Sequence, residues 1–328
     1  MSHLTYLEAA VVGLIQGVSE LFPVSSLGHN VLIPALIGGS WAKDLNVAKS
    51  SSPYLAFIVG MHVATAIALL IYFWRDWIRI IGGFFTSIRH RQIETVNERL
   101  AWMIILATIP VAIAGLLFEH LFRVIFGKPV VAAVFLIVNG LILYAGERFR
   151  PWGSKQADEA IAEQREEALS AGRPGGGRHA SGQQAVRQEE LALAIQADRR
   201  LSTIGYGRAL LIGSVQIFAL LAGISRDGIT MVTGMARGLS REDAARFAFL
   251  LATPVILAAG VLEIPKLLGP LGHGIHGQIL LGSVLSGVGA YVSVRFLVKY
   301  FQTRTLTPFA IYCVVFGLGC AIYLGFVK

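Results

Sequence analysis

Of the 328 residues, 55% are hydrophobic and only 15% charged, with a mean hydropathy of +0.64, which excludes an ordinary soluble globular protein and reads as a polytopic membrane protein. The net charge of +8 does not mark a nucleic-acid partner, because Lys and Arg punctuate the gaps between apolar runs, as topology signals do. The two cysteines, Cys313 and Cys320, share one apolar run about 10 Å apart along a helix, so a disulfide scaffold is excluded as well.

In chain order, the N-terminus has no basic region and meets Glu8 at once, so no cleaved signal peptide is expected. Residues 9–42 are apolar but carry Glu20, His29, Pro23 and Pro34, which is wrong for an ordinary span. Three runs free of Asp, Glu, Lys and Arg follow, at 53–74, 100–118 and 129–146, each near the roughly 20 residues that cross a bilayer. Residues 151–204 turn polar, with the glycine-rich run 172–178 and a stretch, 183–200, that suits a short helix; they read as a solvated cytoplasmic insertion, removable from Ser154 to Asp198 without loss of activity. Residues 209–238 form a second odd apolar segment, carrying Arg226 and Asp227, before three more clean runs at 247–262, 267–294 and 305–327.

Laid over each other at an offset of 200, the two odd segments match: Gly13 on Gly213, Gln16 on Gln216, Leu21 on Leu221, Ser25 on Ser225 and Gly28 on Gly228. Each odd segment is followed by three ordinary spans. The expected fold is therefore an all-α integral membrane protein of two inverted-topology repeats, each a re-entrant broken helix plus three transmembrane helices: residues 1–150, the insertion 151–204, and 205–328. The arginine-rich gaps, at 75–99, after Arg148 and from Arg295 to Arg304, belong on the cytoplasmic side, which puts both termini outside.

Ionisable residues at membrane depth are costly and mark function, and broken backbone is tolerated there only against a cavity. Gln16 and Glu20, four residues apart, project from one helix face. The run from Pro23 to His29 then offers a break, the hydroxyls of Ser25 and Ser26, and an imidazole. A helix restarting there would aim free N–H groups at an anion beside a nucleophile and a proton shuttle. The plainer alternative is that the serines cap the helix and His29 serves a buried carbonyl. In the second segment Arg226, flanked by glycines, suits a phosphate or carboxylate clamp; its alternative is a structural ion pair with Asp227 or Glu20. Together these residues point to phosphoryl chemistry. His62 and Gln216 read as packing residues, Glu263, His273 and His276 as interfacial ones, and Ser240 as the cap of the helix beginning after it.

These residues resemble the undecaprenyl pyrophosphate phosphatase family of bacterial bacitracin-resistance membrane proteins. The first family motif, Glu/Gln-x-x-x-Glu followed by Pro-Val-Ser-Ser-x-Gly-His, stands here at Gln16 to Glu20 and Pro23 to His29. The second, Pro-Gly-x-Ser-Arg-Ser-x-x-Thr, stands at Ala222 to Thr230, with Ala222 in place of the proline and Asp227 in place of a serine. The stretches 238–242 and 247–254 also look like the family.

The resemblance implies hydrolysis of undecaprenyl diphosphate to the monophosphate and inorganic phosphate, recycling the lipid carrier of cell-wall synthesis in the bacterial cytoplasmic (inner) membrane, with the site facing the periplasm. By motif position Ser26 is the nucleophile, His29 its acid/base partner, Glu20 an assisting carboxylate and Arg226 the clamp. Gln16, Ser25, Gly28, Ser225, Gly228 and Thr230 would surround the substrate. A divalent cation, Mg or Ca, is expected on Glu20 and Asp227, with no organic cofactor. The expected partners are the lipid-linked diphosphate and membrane lipid, with a second copy of the chain left open. The rival reading, from inverted repeats and broken helices alone, is a polyprenyl-phosphate transporter or flippase.

Overall fold

The computed structural model describes residues 4–46, 53–126, 128–171, 179–268 and 274–327, and among them every regular element is a helix. The first half holds α1 (Tyr6–Ser19), α2 (Ser26–Ile37), the short α3 (Gly39–Asp44), α4 (Pro53–Tyr72), α5 (Trp74–His90), α6 (Val96–Phe126) and α7 (Pro129–Arg148). Next come α8 (Trp152–Ala171) and α9 (His179–Ser202). The second half holds α10 (Tyr206–Ser214), a 3₁₀ turn (Val215–Leu220), α11 (Arg226–Ala236), α12 (Arg241–Leu268), α13 (His276–Thr303) and α14 (Thr307–Ile322).

Among the described residues five helices are long and apolar enough to cross a membrane: Val96–Phe118, Pro129–Arg148, Arg241–Leu262, His276–Thr303 and Thr307–Phe326. They coincide with five of the six expected runs; the sixth is α4, whose Gly60–Tyr72 part is a shorter apolar helix. Their outer faces are apolar. Along α13, Leu280, Val284, Val288, Val292 and Phe296 recur every fourth residue and are all exposed, a stripe that suits lipid rather than water.

Both odd segments are broken helices, and their breaks fall in register. Helix α2 starts at Ser26 and α11 at Arg226, each capped by the preceding serine, with Gly28 N–H on Ser25 Oγ at 3.3 Å and Gly228 N–H on Ser225 Oγ at 3.1 Å. The same register appears in packing. Helix α1 lies along α13 and α10 along α6, so the opening helix of each half packs on a span of the other. The matched glycines sit at these contacts: a Cβ on Gly13 would lie 2.6 Å from the Gly282 carbonyl oxygen, and one on Gly213 would collide with the Ala107 carbonyl.

Three expectations need revision. The arginine-bearing gap after residue 75 is largely helix α5, with Trp74, Ile78, Ile81, Phe85 and Ile88 exposed along one face. Its arginines hid that helical period. Of the run expected from residue 267, Leu267 and Leu268 end α12, and the next helix runs from His276 past Arg295 and Lys299 to Thr303, because a helix does not stop where its apolar window does. The glycine-rich run 172–178 and His273 lie outside the described residues, as do the side chains of Glu263 and Lys266.

The third revision concerns the insertion, whose ends are built into the bundle. Ser154 and Asp198 are buried; Asp198 pairs with Arg246 and with Arg79 at 2.8 Å each, and Asp158 pairs with Arg150 at 2.8 Å and Arg241 at 2.7 Å. Removing one partner of a buried ion pair costs about 3–5 kcal/mol. Deleting Ser154 to Asp198 is therefore expected to collapse the yield of monodisperse protein on size exclusion, rather than leave activity intact.

Candidate active site

The site begins at the end of α1. Gln16 and Glu20, one turn apart, face the same way, and both are buried. The chain then breaks through residues 20–24 and re-enters helix at Ser26. Ser25 makes the turn in the left-handed region, at φ 67°, where a non-glycine residue is strained by roughly 1–3 kcal/mol. Its hydroxyl holds the turn by accepting from Gly28 N–H and, across 198 residues, from Gly223 N–H at 3.2 Å. Gly223 itself has φ 112° and approaches α7 so closely that a Cβ would meet the Ala132 carbonyl oxygen at 2.5 Å.

One residue ties the two breaks together. Asn139, buried in α7, accepts from Ser225 N–H at 2.9 Å and donates to the Pro23 carbonyl at 3.0 Å. Its side-chain amide thus joins the turn before α2 to the turn before α11 and holds both helix starts at one site.

At that site Glu20 is the hub. One carboxylate oxygen accepts from Ser26 Oγ and from Gln16 Nε2 at 2.7 Å; the other accepts from Arg226 Nη2 at 3.0 Å. Gln16 is oriented in turn by Asn30 Nδ2, at 2.5 Å from its carbonyl oxygen. His62, on α4, has Nδ1 on the Ile58 carbonyl at 2.9 Å, so that nitrogen carries the proton; its free Nε2 faces Gln16 Nε2 at 3.4 Å and Glu20 at 3.6 Å. Ser26 and Arg226 are half-buried, open enough to meet a substrate.

Arg226 also donates from Nε to Asp227 Oδ1 at 3.3 Å, so both ion pairs weighed from the sequence form at once. The remaining Nη1 edge is free for a phosphate. The N-termini of α2 and α11, each worth about half a positive charge, add to the positive charge of Arg226 at the site.

The other expected residues fall differently. The His29 ring bonds the Ser25 carbonyl through Nδ1 and the Tyr312 hydroxyl through Nε2, both at 2.7 Å, and stacks on Phe316. Neither contact reaches Ser26, whose hydroxyl lies on Glu20 instead. Ser25 and Ser225 are helix caps, Gly28 and Gly228 supply the capped N–H groups, and the Thr230 hydroxyl bonds back to the Arg226 carbonyl at 2.7 Å. Gln216 is buried as expected of a packing residue, but its amide has no partner. Sequence reading missed Asn139 and Tyr312 and undervalued His62. An isolated polar residue in an apolar span was the available signal.

The residues named for a cation do not form a site for one. A guanidinium lies between Glu20 and Asp227, both oxygens of Glu20 are already bonded, and among the described residues no group of three or more His, Cys, Asp or Glu side chains could hold a metal. Asp227 Oδ2 is buried and has no hydrogen-bond partner among the described residues.

Such an arrangement offers a phosphoryl group a guanidinium edge and two helix N-termini, beside a hydroxyl already bonded to a carboxylate base. Comparison with known proteins agrees with this chemistry. The profile of the family described as bacitracin resistance protein BacA matches residues 9–319. The chain is 58% identical over 323 residues to the undecaprenyl-diphosphatase of Mycolicibacterium paratuberculosis strain K-10, covering 98% of each. It is 53% identical over 338 residues to undecaprenyl-diphosphatase 2 of Frankia alni, again covering 98% of each. A more distant relative, undecaprenyl-diphosphatase 2 of Burkholderia lata, is 38% identical over 310 residues, covering 94% of this chain and 93% of its own.

Proposed function

The chain belongs to the bacitracin resistance protein BacA family, and from that premise we infer that it is an undecaprenyl-diphosphatase, an integral membrane hydrolase that returns the lipid carrier of cell-wall synthesis to its monophosphate. The observation that carries the reading is the Ser26 hydroxyl seated on Glu20, with Arg226 brought to the same carboxylate from the other half of the chain. A carrier of polyprenyl phosphate needs no hydroxyl held on a base, so the geometry favours hydrolysis over transport.

In the mechanism this supports, Ser26 Oγ attacks the terminal phosphorus of the diphosphate while Glu20 takes its proton. The bond from that phosphorus to the bridging oxygen breaks, undecaprenyl phosphate leaves, and a phosphoserine remains. Glu20 passes its proton to the departing lipid phosphate and then takes one from water, whose oxygen attacks the phosphoserine phosphorus. The bond to Ser26 Oγ breaks, the proton returns to Oγ and inorganic phosphate leaves. Arg226 and the amides at the start of α2 stabilise the charge that builds on the phosphoryl oxygens. Gln16 and Asn30 hold Glu20 toward Ser26. His29, bonded to Tyr312, braces the first turn of α2 rather than shuttling the proton.

Asp227 is held by the Arg226 guanidinium and so is not presented to a divalent cation. Accordingly, Asp227→Asn is expected to leave the concentration of Mg or Ca that half-activates phosphate release unchanged within about twofold; a large rise would return Asp227 to the role of metal ligand.

The cationic ends of the helices support a cytoplasmic insertion and a site open to the opposite face. Arg79, Arg241 and Arg246 all pair with insertion residues, so the arginine-rich gaps and the insertion share one side. The two in-register breaks and the exchanged packing of α1 and α10 suit the inverted-repeat plan. The reading as a whole is tested by purified protein in detergent with undecaprenyl diphosphate. Phosphate release is expected, whereas intact lipid diphosphate together with movement of polyprenyl phosphate across vesicles would favour the transporter.

A further inference from the structure

The insertion lays α9 along α6 and also reaches the corner between α11 and α12, where it meets every charged residue in the first turn and a half of α12. Ser154 Oγ donates to the Leu239 carbonyl at 2.5 Å, and Asp158 accepts from the Arg241 backbone N–H at 2.9 Å and its guanidinium at 2.7 Å. Arg165 reaches both oxygens of Glu242 at 2.7 Å, Arg200 spans both oxygens of Asp243 at 2.8 Å, and Asp198 takes Arg246 at 2.8 Å. Exposed ion pairs would mean little. Here Ser154 is wholly buried, and Asp198 and Asp243 are each 2% exposed.

The same corner is continuous with α11. Leu239 N–H bonds the Gly234 carbonyl at 3.1 Å, and Gly238, at φ 96°, is the one pivot in the turn. Helix α11 has 11 residues, a rigid rod of about 16 Å, and its far end is Arg226. A shift of the corner along the axis of α11 therefore appears undiminished at the guanidinium that bridges Glu20 and Asp227.

We propose that the insertion is a positioning clamp: by fixing the corner from Leu239 to Arg241, α8 and α9 set the axial position of α11 and so the place where Arg226 meets Glu20. Asp158 and Ser154 are its positioning residues, remote from the reacting atoms. As a statement about turnover this rests on the phosphatase reading; as a statement about α11 it does not.

The test uses the full-length protein in detergent and a double-mutant cycle with Arg226→Lys. Per folded molecule, Asp158→Ala is expected to lower kcat roughly ten- to a hundredfold, as misplacement of about 1 Å does. Asp158→Asn, which keeps an acceptor for the Arg241 N–H, recovers part of the loss. In the Arg226→Lys background Asp158→Ala adds less than about twofold, since the group it positions is already altered. Equal losses in both backgrounds, or an unchanged kcat, overturn the clamp. Should Asp158→Ala fail to fold, Ser154→Ala takes its place in the same cycle, removing only the hydroxyl on the Leu239 carbonyl. Amide hydrogen exchange separates the two claims. Faster exchange across 226–240 in the variant supports the clamp and unchanged exchange overturns it, whereas absence of phosphate release from the wild-type protein defeats the phosphatase reading instead.

Discussion

Ser26→Ala is expected to lower kcat by three orders of magnitude or more while the protein stays folded and monodisperse. Among the serine and threonine hydroxyls described at the two helix starts, that of Ser26 is the one not committed to the backbone: Ser25 and Ser225 cap helices, and Thr230 bonds the Arg226 carbonyl. It already donates to Glu20, so its proton has a place to go. Glu20→Gln should be nearly as damaging, because the amide keeps the size of the side chain but loses its basicity, and general-base assistance is worth about 10²–10⁴. The two act as one unit. The double variant should then be little worse than Ser26→Ala alone, as measured by phosphate release at saturating lipid diphosphate. Near-normal turnover in Ser26→Ala would move the nucleophile to water and leave Ser26 as the first residue of α2.

Arg226→Ala is expected to cost about 10²–10³ in kcat, the usual loss when a preorganised donor to the developing charge is removed. A second cost comes with it. Arg226 is the cation that holds Glu20 and the buried Asp227 together, and without it two carboxylates face each other in a site meant for an anion. The KM for the lipid diphosphate should therefore rise together with the fall in kcat. Arg226→Lys, which restores the charge without the fork, should recover binding better than turnover, because a point charge cannot reach Glu20, Asp227 and a phosphate from three edges. If Arg226→Ala changed kcat less than tenfold, the guanidinium would be a structural ion pair and the clamp would have to be sought at the α2 N-terminus alone.

Much of this arrangement was legible in the sequence. The offset of 200 between the odd segments survives as two helix starts, Ser26 and Arg226, with matched serine caps, because capping chemistry is local and its residues are adjacent in the chain. The pairing of Arg226 with both acids was foreseen as alternatives, and the structure satisfies the two together because one guanidinium has several edges. What could not be read was anything carried by a single polar residue in an apolar helix. Asn139 joins two turns it is far from in sequence, and His62 and Tyr312 find their partners 46 and 283 residues away. The pairing of His29 with Ser26 came from motif position, and at the start of α2 the ring bonds the Ser25 carbonyl and the Tyr312 hydroxyl. The insertion misled for a related reason. Its composition is that of a solvated segment, and only the fold brings Asp198 to Arg79 across 119 residues and Ser154 to Leu239 across 85.

The central claim, that the chain hydrolyses a lipid diphosphate at its terminal phosphorus, is tested most directly by running the reaction in water enriched in oxygen-18 and weighing both products. Attack by Ser26 on the terminal phosphorus, followed by hydrolysis of the phosphoserine, places one solvent oxygen in the inorganic phosphate and none in undecaprenyl phosphate, and Ser26→Ala should abolish the labelled phosphate. Label in the lipid phosphate, or recovery of the diphosphate intact, would contradict it.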